Sequence, residues 1–185
     1  LASFLVALGF SLAAVTSQAQ LTVEISGAGA NSIPIAAPNF AGEALMQGSV
    51  SEVVRKDLAL TGLLRIVEPG NLLGVEGGGP DHAGGKGRGA DALLLGSSNP
   101  GQGGLVDVRF RLYDTVRATE LFVLKVSVRP DQQRALGHHI ANKVYEKLIG
   151  QPGIFSTRIA YVEKQGSRYQ LLISDFDGEN AVPAL

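Results

Sequence analysis

Leu136, Ile140, Val144 and Leu148 recur at every fourth position, which predicts a helix with one apolar side. Gly150 supplies the left-handed residue on which such a helix ends, and Pro152 blocks its resumption. After that turn Ile159 to Val162 form a short apolar run, bounded by charge, that suits a buried strand. A first helix is signalled earlier, where Ser49 and Glu52 match a capping box and Val50, Val53, Val54 and Leu58 share a face up to Gly62. Asp131 is placed to cap the second helix.

Strand patterns surround these helices. Leu21 to Ile25 alternates apolar with polar residues, as does Val106 to Tyr113, where Val106, Val108, Phe110 and Leu112 make the cleanest strand in the chain. A turn around Asp114 to Ala118 pairs that strand with Leu121 to Val128. Leu63 to Val67 and Asp91 to Ser97 read as further strands. Pro34 and Pro38 confine the run beginning at Ile33 to an edge strand or to strand ends. Strand, helix and strand over residues 33–67 predict a βαβ unit with a right-handed crossover, so the fold class is α/β: a mixed sheet with two main helices.

From Arg158 the alternation returns as RIAYVEK, a QGS turn and RYQLLIS, a predicted hairpin, and Asp177-Gly178 marks another tight turn. Two strands with open edges do not stand alone in water. Residues 158–185 therefore predict the start of a larger all-β assembly, with residues 151–157 as its hinge or weld.

Phe4 to Val15 is uncharged and apolar but short of the roughly 20 residues of a membrane span. It suits the apolar region of a signal peptide over residues 1–19, with cleavage after the small residue Ala19, before Gln20. The charged n-region is missing and position 1 is Leu, so the chain is expected to be a fragment, with its end cut as well. Residues Gly74 to Gly89 are too rich in glycine to build a core and are expected to form a mobile surface insertion.

Composition narrows the function classes. Seventeen acidic residues against 16 basic ones leave no global field for nucleic acid, and the absence of Trp disfavours a stacking platform. No cysteine is present, which excludes disulfides, thiolate metal sites, a Cys nucleophile and lipidation through an N-terminal Cys. The Gly-rich tract is no phosphate loop, because Gly87 follows Lys86 where Ser or Thr is needed. His138 and His139, adjacent on a helix, point about 100° apart and are expected to be solvated or to cap rather than to chelate. His82 lacks a second ligand at fixed spacing. Asp175-Phe176-Asp177-Gly178 resembles the opening of a calcium loop, but its glycine comes two residues early, so a turn is expected. No catalytic, cofactor-binding or metal-binding residue is assigned, and an enzyme active site is not expected.

The segments PIAAPNF from Pro34, VVRKDLALTGLLRIVEP from Val53, ADALLLG from Ala90, VDVRFRLYD from Val106, KVYEKLIGQPGIFSTRIAYV from Lys143 and LLISDFDGEN from Leu171 carry a family resemblance in their order and spacing. Together they resemble the N-terminal part of the TolB family, periplasmic components of the Tol–Pal system of Gram-negative bacteria. Gly74 to Gly89 departs from the family's less Gly-rich connector. The resemblance implies an N-terminal α/β domain over residues 20–150, a linker over 151–157, and the first strands of a six-bladed β-propeller over 158–185. It implies a periplasmic adaptor without cofactor or catalysis, linking inner-membrane TolA to outer-membrane Pal in envelope maintenance and cell division. Neither nucleic acid nor stable membrane insertion after signal cleavage is expected.

The family's TolA contact maps onto Gln20, Leu21, Thr22, Val23, Glu24, Ile25, Ser26, Gly27, Ala28, Gly29, Ala30, Asn31 and Ser32, and its Pal contact belongs to the propeller. An alternating strand on a polar linker suits addition to a partner's sheet edge by main-chain hydrogen bonds. An ordinary first strand docked on its own domain stays open as the alternative. So does another function: an exported propeller-bearing hydrolase or peptidase with its catalytic residues beyond Leu185.

Overall fold

The computed structural model describes residues 32–68 and 86–184. The signal-peptide segment, the strand expected at Leu21–Ile25 and most of the Gly-rich tract lie outside the described residues. Chain order is β1 (Ile33–Ala36), α1 (Val50–Leu60), β2 (Leu64–Val67), β3 (Ala92–Pro100), β4 (Val106–Asp114), β5 (Thr119–Val128), α2 (Gln133–Ile149), β6 (Arg158–Gln165), β7 (Arg168–Asp175) and β8 (Val182–Pro183). The first five strands form one sheet in the order β2-β1-β3-β4-β5, and the last three form a second. This is the expected class, a mixed α/β sheet with two helices followed by a separate antiparallel sheet.

β1 and β2 are parallel neighbours joined through α1, the βαβ unit that the pattern predicts. β1 is no edge strand, however; it lies between β2 and β3. Pro34 is tolerated there because the β1–β3 ladder begins only at Ile35–Ala92. The Pro34 carbonyl still accepts from Asp91 N–H at 2.8 Å, so its missing donor falls before the paired stretch.

Both helices pack on one face of the large sheet. Val50, Val54 and Leu58 of α1 and Leu136, Ile140 and Val144 of α2 meet Ile35, Leu94, Val108, Phe110 and Leu112 in one core. A smaller cluster of Ala36, Leu93 and Tyr113 with Ala90 occupies the opposite face. The alternation in β4 is thus realised, except that Tyr113 is buried on the far side rather than solvated. Ser49 caps α1 by accepting Glu52 N–H at 3.1 Å. Gly150, with φ 81°, ends α2 as expected.

Asp131 does not cap α2. A turn of 3-10 helix at Pro130–Gln132 precedes it, and the Asp131 carboxylate pairs back with Arg129 at 3.1 Å. Among the described residues no side chain caps α2 itself.

Two glycines mark places where the layers approach too closely for a side chain. A Cβ on Gly137 would lie 2.6 Å from Val53 Cβ, which sets the contact between the helices. A Cβ on Gly96 in β3 would lie 2.3 Å from the ring of Phe40. Gly96→Ala is therefore expected to destabilise by about 2 to 3 kcal/mol, because a buried ring has to move. A shift in the urea unfolding midpoint checks this.

β6 and β7 form the expected hairpin, with Gly166 at φ 63° in its turn, and β8 pairs with β7. The buried strand expected at Ile159 to Val162 is not buried: Val162 is 62% exposed, and all of β6 is open to solvent. Among the described residues β6 pairs only with β7, and no layer covers it. Among the described residues no helix is long and apolar enough to cross a membrane.

Candidate functional site

The second sheet is fastened to the first unit at a seam with an apolar part and a charged part. In the apolar part Phe155, 1% exposed, is the keystone. Its ring meets Tyr145 of α2 edge-on at 5.7 Å and Phe176 of the turn after β7 at 5.5 Å. Asn142 of α2 holds the backbone there, accepting Phe155 N–H at 2.9 Å and donating to Ser156 Oγ at 2.8 Å. Gly153 makes this possible, since a Cβ there would lie 2.4 Å from Asn142 Oδ1. These contacts hold segment 151–157 against α2 and the turn after β7.

The charged part brings together residues far apart in sequence. Arg134 of α2 donates through Nη2 to both carboxylate oxygens of Asp177 at 2.7 Å and through Nε to Asp175 Oδ2 at 3.2 Å. Asn180 Nδ2 also donates to Asp175 Oδ2, at 2.7 Å. One turn along α2, His138 is buried and its Nδ1 lies 2.7 Å from Asp57 Oδ2 of α1. Among the described residues its Nε2 has no hydrogen-bond partner, and it lies 3.9 Å from Asp175 Oδ2. A cavity of about 480 Å³ opens beside the cluster, lined by Arg129, Arg134, His138, Phe155, Arg158 and Asp175 among others.

This electrostatic setting holds protons tightly at the Asp57–His138 pair. The hydrogen bond with Asp57 raises the His138 pKa above its usual 6.5, overcoming burial, and Asp57 and Asp177 add charge attraction. Burial raises the Asp57 carboxyl, against the pull of His138. Burial would raise Asp177 too, but hydrogen bonds from Arg134 and from the Glu179 backbone hold it below the usual carboxylate range.

The cluster admits two chemical readings, and its geometry argues against both. His138, Asp175 and Asp177 offer ligand atoms within 4.8 Å of one another, as a metal site would. The Arg134 guanidinium already binds both carboxylates, so a cation occupies the place of the metal. Asp57 and His138 also resemble the carboxylate–imidazole half of a hydrolytic triad. There the free ring nitrogen faces a hydroxyl or thiol, whereas here it faces a carboxylate.

His138 is thus neither solvated nor a cap: it is buried because Gly137 draws α2 against α1, placing its ring on Asp57. His139 is exposed, as expected. Asp175 to Gly178 is a turn, with Gly178 N–H donating to the Asp175 carbonyl at 3.0 Å, and its carboxylates are the second sheet's charged anchors. Of the candidate partner-binding segment only Ser32 is described, half-buried just before β1; Gln20 to Asn31 and His82 lie outside the described residues.

Two signals for the missed residues were present. Asp57 sits in the middle of the Val50, Val53, Val54, Leu58 stripe, where a carboxylate needs a partner. Gly137 and Ala141, four apart beside the Leu136 line, widen the buried side of α2 toward His138.

The comparisons with known proteins agree with this architecture. The family model of the TolB amino-terminal domain matches residues 21–121. "Tol-Pal system protein TolB" of Aromatoleum aromaticum is 49% identical over 187 residues, covering 100% of this chain and 44% of that protein. The protein of the same name from Nitrosomonas europaea is 48% identical over 166 residues, covering 90% of this chain and 39% of its own length. The crystal structure of TolB from Acinetobacter baumannii superposes with a TM-score of 0.70 at 26% identity, over 83% of this chain and 38% of that one. The chain spans less than half the length of these relatives. With the amino-terminal domain matched over more than half of its residues, the chain belongs to the TolB family.

Proposed function

We propose that this chain is the N-terminal portion of a periplasmic adaptor that links TolA at the inner membrane to Pal at the outer membrane, supporting envelope integrity and cell division. In this reading residues 1–19 are removed as a signal peptide, 20–150 form the adaptor domain, 151–157 the interdomain link, and 158–185 begin the propeller that meets Pal. Its role is to bind, without catalysis.

The observation that carries the proposal is the point where the candidate TolA segment enters the fold. Residues 20–32 lead straight into β1, which is hydrogen-bonded on both sides within the sheet. A partner that captures this segment as an added strand would hold the domain by an internal strand rather than by a peelable edge.

Deleting Gln20 to Ser32 should abolish TolA binding in a calorimetric titration while the circular dichroism spectrum and unfolding midpoint stay close to those of the parent. Retained affinity would overturn the assignment of the segment.

A further inference from the structure

We infer that a proton on His138 Nε2 acts as a latch, fastening the turn at residues 175–180, and with it the second sheet, onto the two helices. The inference rests on the seam alone and is independent of which partners the chain binds.

The geometry isolates Nε2 as the switching atom. Nδ1 faces Asp57 Oδ2 at hydrogen-bond distance, so it keeps its hydrogen and donates. Nε2 is then the nitrogen that gains or loses a proton near neutrality. It is buried, lacks a hydrogen-bond partner among the described residues, and faces Asp175 Oδ2 from 3.9 Å. A bare Nε2 presents a lone pair to a carboxylate, and two acceptors facing each other in a buried site repel. A protonated Nε2 presents a donor instead, and an approach of less than about 1 Å makes it a charge-assisted hydrogen bond.

Every element packed on the ring contributes charge. Asp57 faces it from α1, Asp175 and Asp177 from the turn after β7, and Arg134 from its own helix. Three carboxylates against one guanidinium favour the imidazolium. Arg129, Asp131 and Arg158 line the outer part of the cavity, where water screens them. The sign follows from the turn's own carboxylates: Asp177 favours the protonated ring and Asp175 Oδ2 faces Nε2, whereas Asp57 stays with the ring whether the turn is closed or open. The contribution to closure is therefore complete below the pKa of His138 in the open seam and is lost as pH rises through its higher value in the closed seam.

Amide hydrogen exchange reads the latch directly. Asp175 N–H (bonded to the Glu179 carbonyl), Gly178 N–H (to the Asp175 carbonyl) and Glu179 N–H (to Asp177 Oδ1) report on the turn. Between about pH 5.5 and about 8.5 their protection factors should fall, by up to about tenfold for each unit by which closure raises the His138 pKa. Amides of the β3–β4 ladder should keep theirs. His138→Gln, which cannot titrate, should flatten the profile of the turn. Asp175→Asn should lower the midpoint of the His138 ring resonance and weaken the pH dependence. If the profile of the turn stays flat while His138 titrates, if His138→Gln leaves the slope intact, or if β3–β4 loses protection in parallel, the latch is overturned. Should His138→Gln fail to fold, the parent profile and Asp175→Asn still decide.

Discussion

Phe155→Ala is expected to destabilise the chain by about 3 to 4 kcal/mol, the largest loss from any single side chain at the seam. The ring is fully buried and touches an aromatic edge on each side, one from α2 and one from the turn after β7. Truncation removes the transfer energy of the ring and both edge-to-face contacts, and leaves a cavity that two rigid neighbours cannot fill. Phe155→Leu should recover more than half of the loss by refilling volume. Urea unfolding measures the total, and limited proteolysis locates it: cleavage within residues 151–157 should become fast in the alanine variant. A loss below about 1 kcal/mol with no new cleavage would mean that the segment is a hinge with an aromatic resting on it, rather than a weld.

Legibility in the sequence followed the range of the contacts involved. α1 was readable because its cap, Ser49 to Glu52, and its stripe are local, and α2 because Leu136, Ile140 and Val144 repeat within one element. β4 was readable because period-two alternation needs no knowledge of neighbours. The position of β1 was not, since Pro34 states only that one donor is missing; which ladder it would have joined depends on where β3 begins, more than 50 residues later. β6 misled because an apolar run implies a cover without supplying one.

The charged seam was the least legible feature. His138 meets Asp57 across 81 positions, and Arg134 meets Asp175 and Asp177 across 41 and 43. Hydrophobic periodicity describes how an element faces a core but is silent on how two buried polar groups find each other. The sequence held clues of a weaker kind, a carboxylate inside an apolar stripe and a pair of small residues beside another. These mark a place where pairing is required, without saying with what.

Arg134→Ala should lower stability by about 2 to 3 kcal/mol at neutral pH, and the loss should shrink on acidification. Arg134 is 23% exposed and Asp177 5% exposed, so removing the guanidinium strands a nearly buried carboxylate beside Asp175. For a fully buried pair the expected loss is about 3 to 5 kcal/mol, and the partial exposure of Arg134 places this one lower. The pH dependence follows from Asp177, whose pKa is held below the ordinary 3.8 in the folded chain. A depressed carboxylate contributes stability above its unfolded pKa and loses it as pH falls through the folded value. The parent should therefore lose its advantage over the variant progressively as pH falls below the ordinary 3.8 and on through the lower value that Asp177 has in the folded chain. Arg134→Lys should fall between the two, keeping the charge but losing the fork that reaches Asp175 and Asp177 together. Arg134 also lowers the His138 pKa, so in Arg134→Ala that ring should titrate at higher pH than in the parent. An equal stability loss at pH 3 and pH 7 would mean that the side chain acts through packing of its stem, and that the ion pairs contribute little.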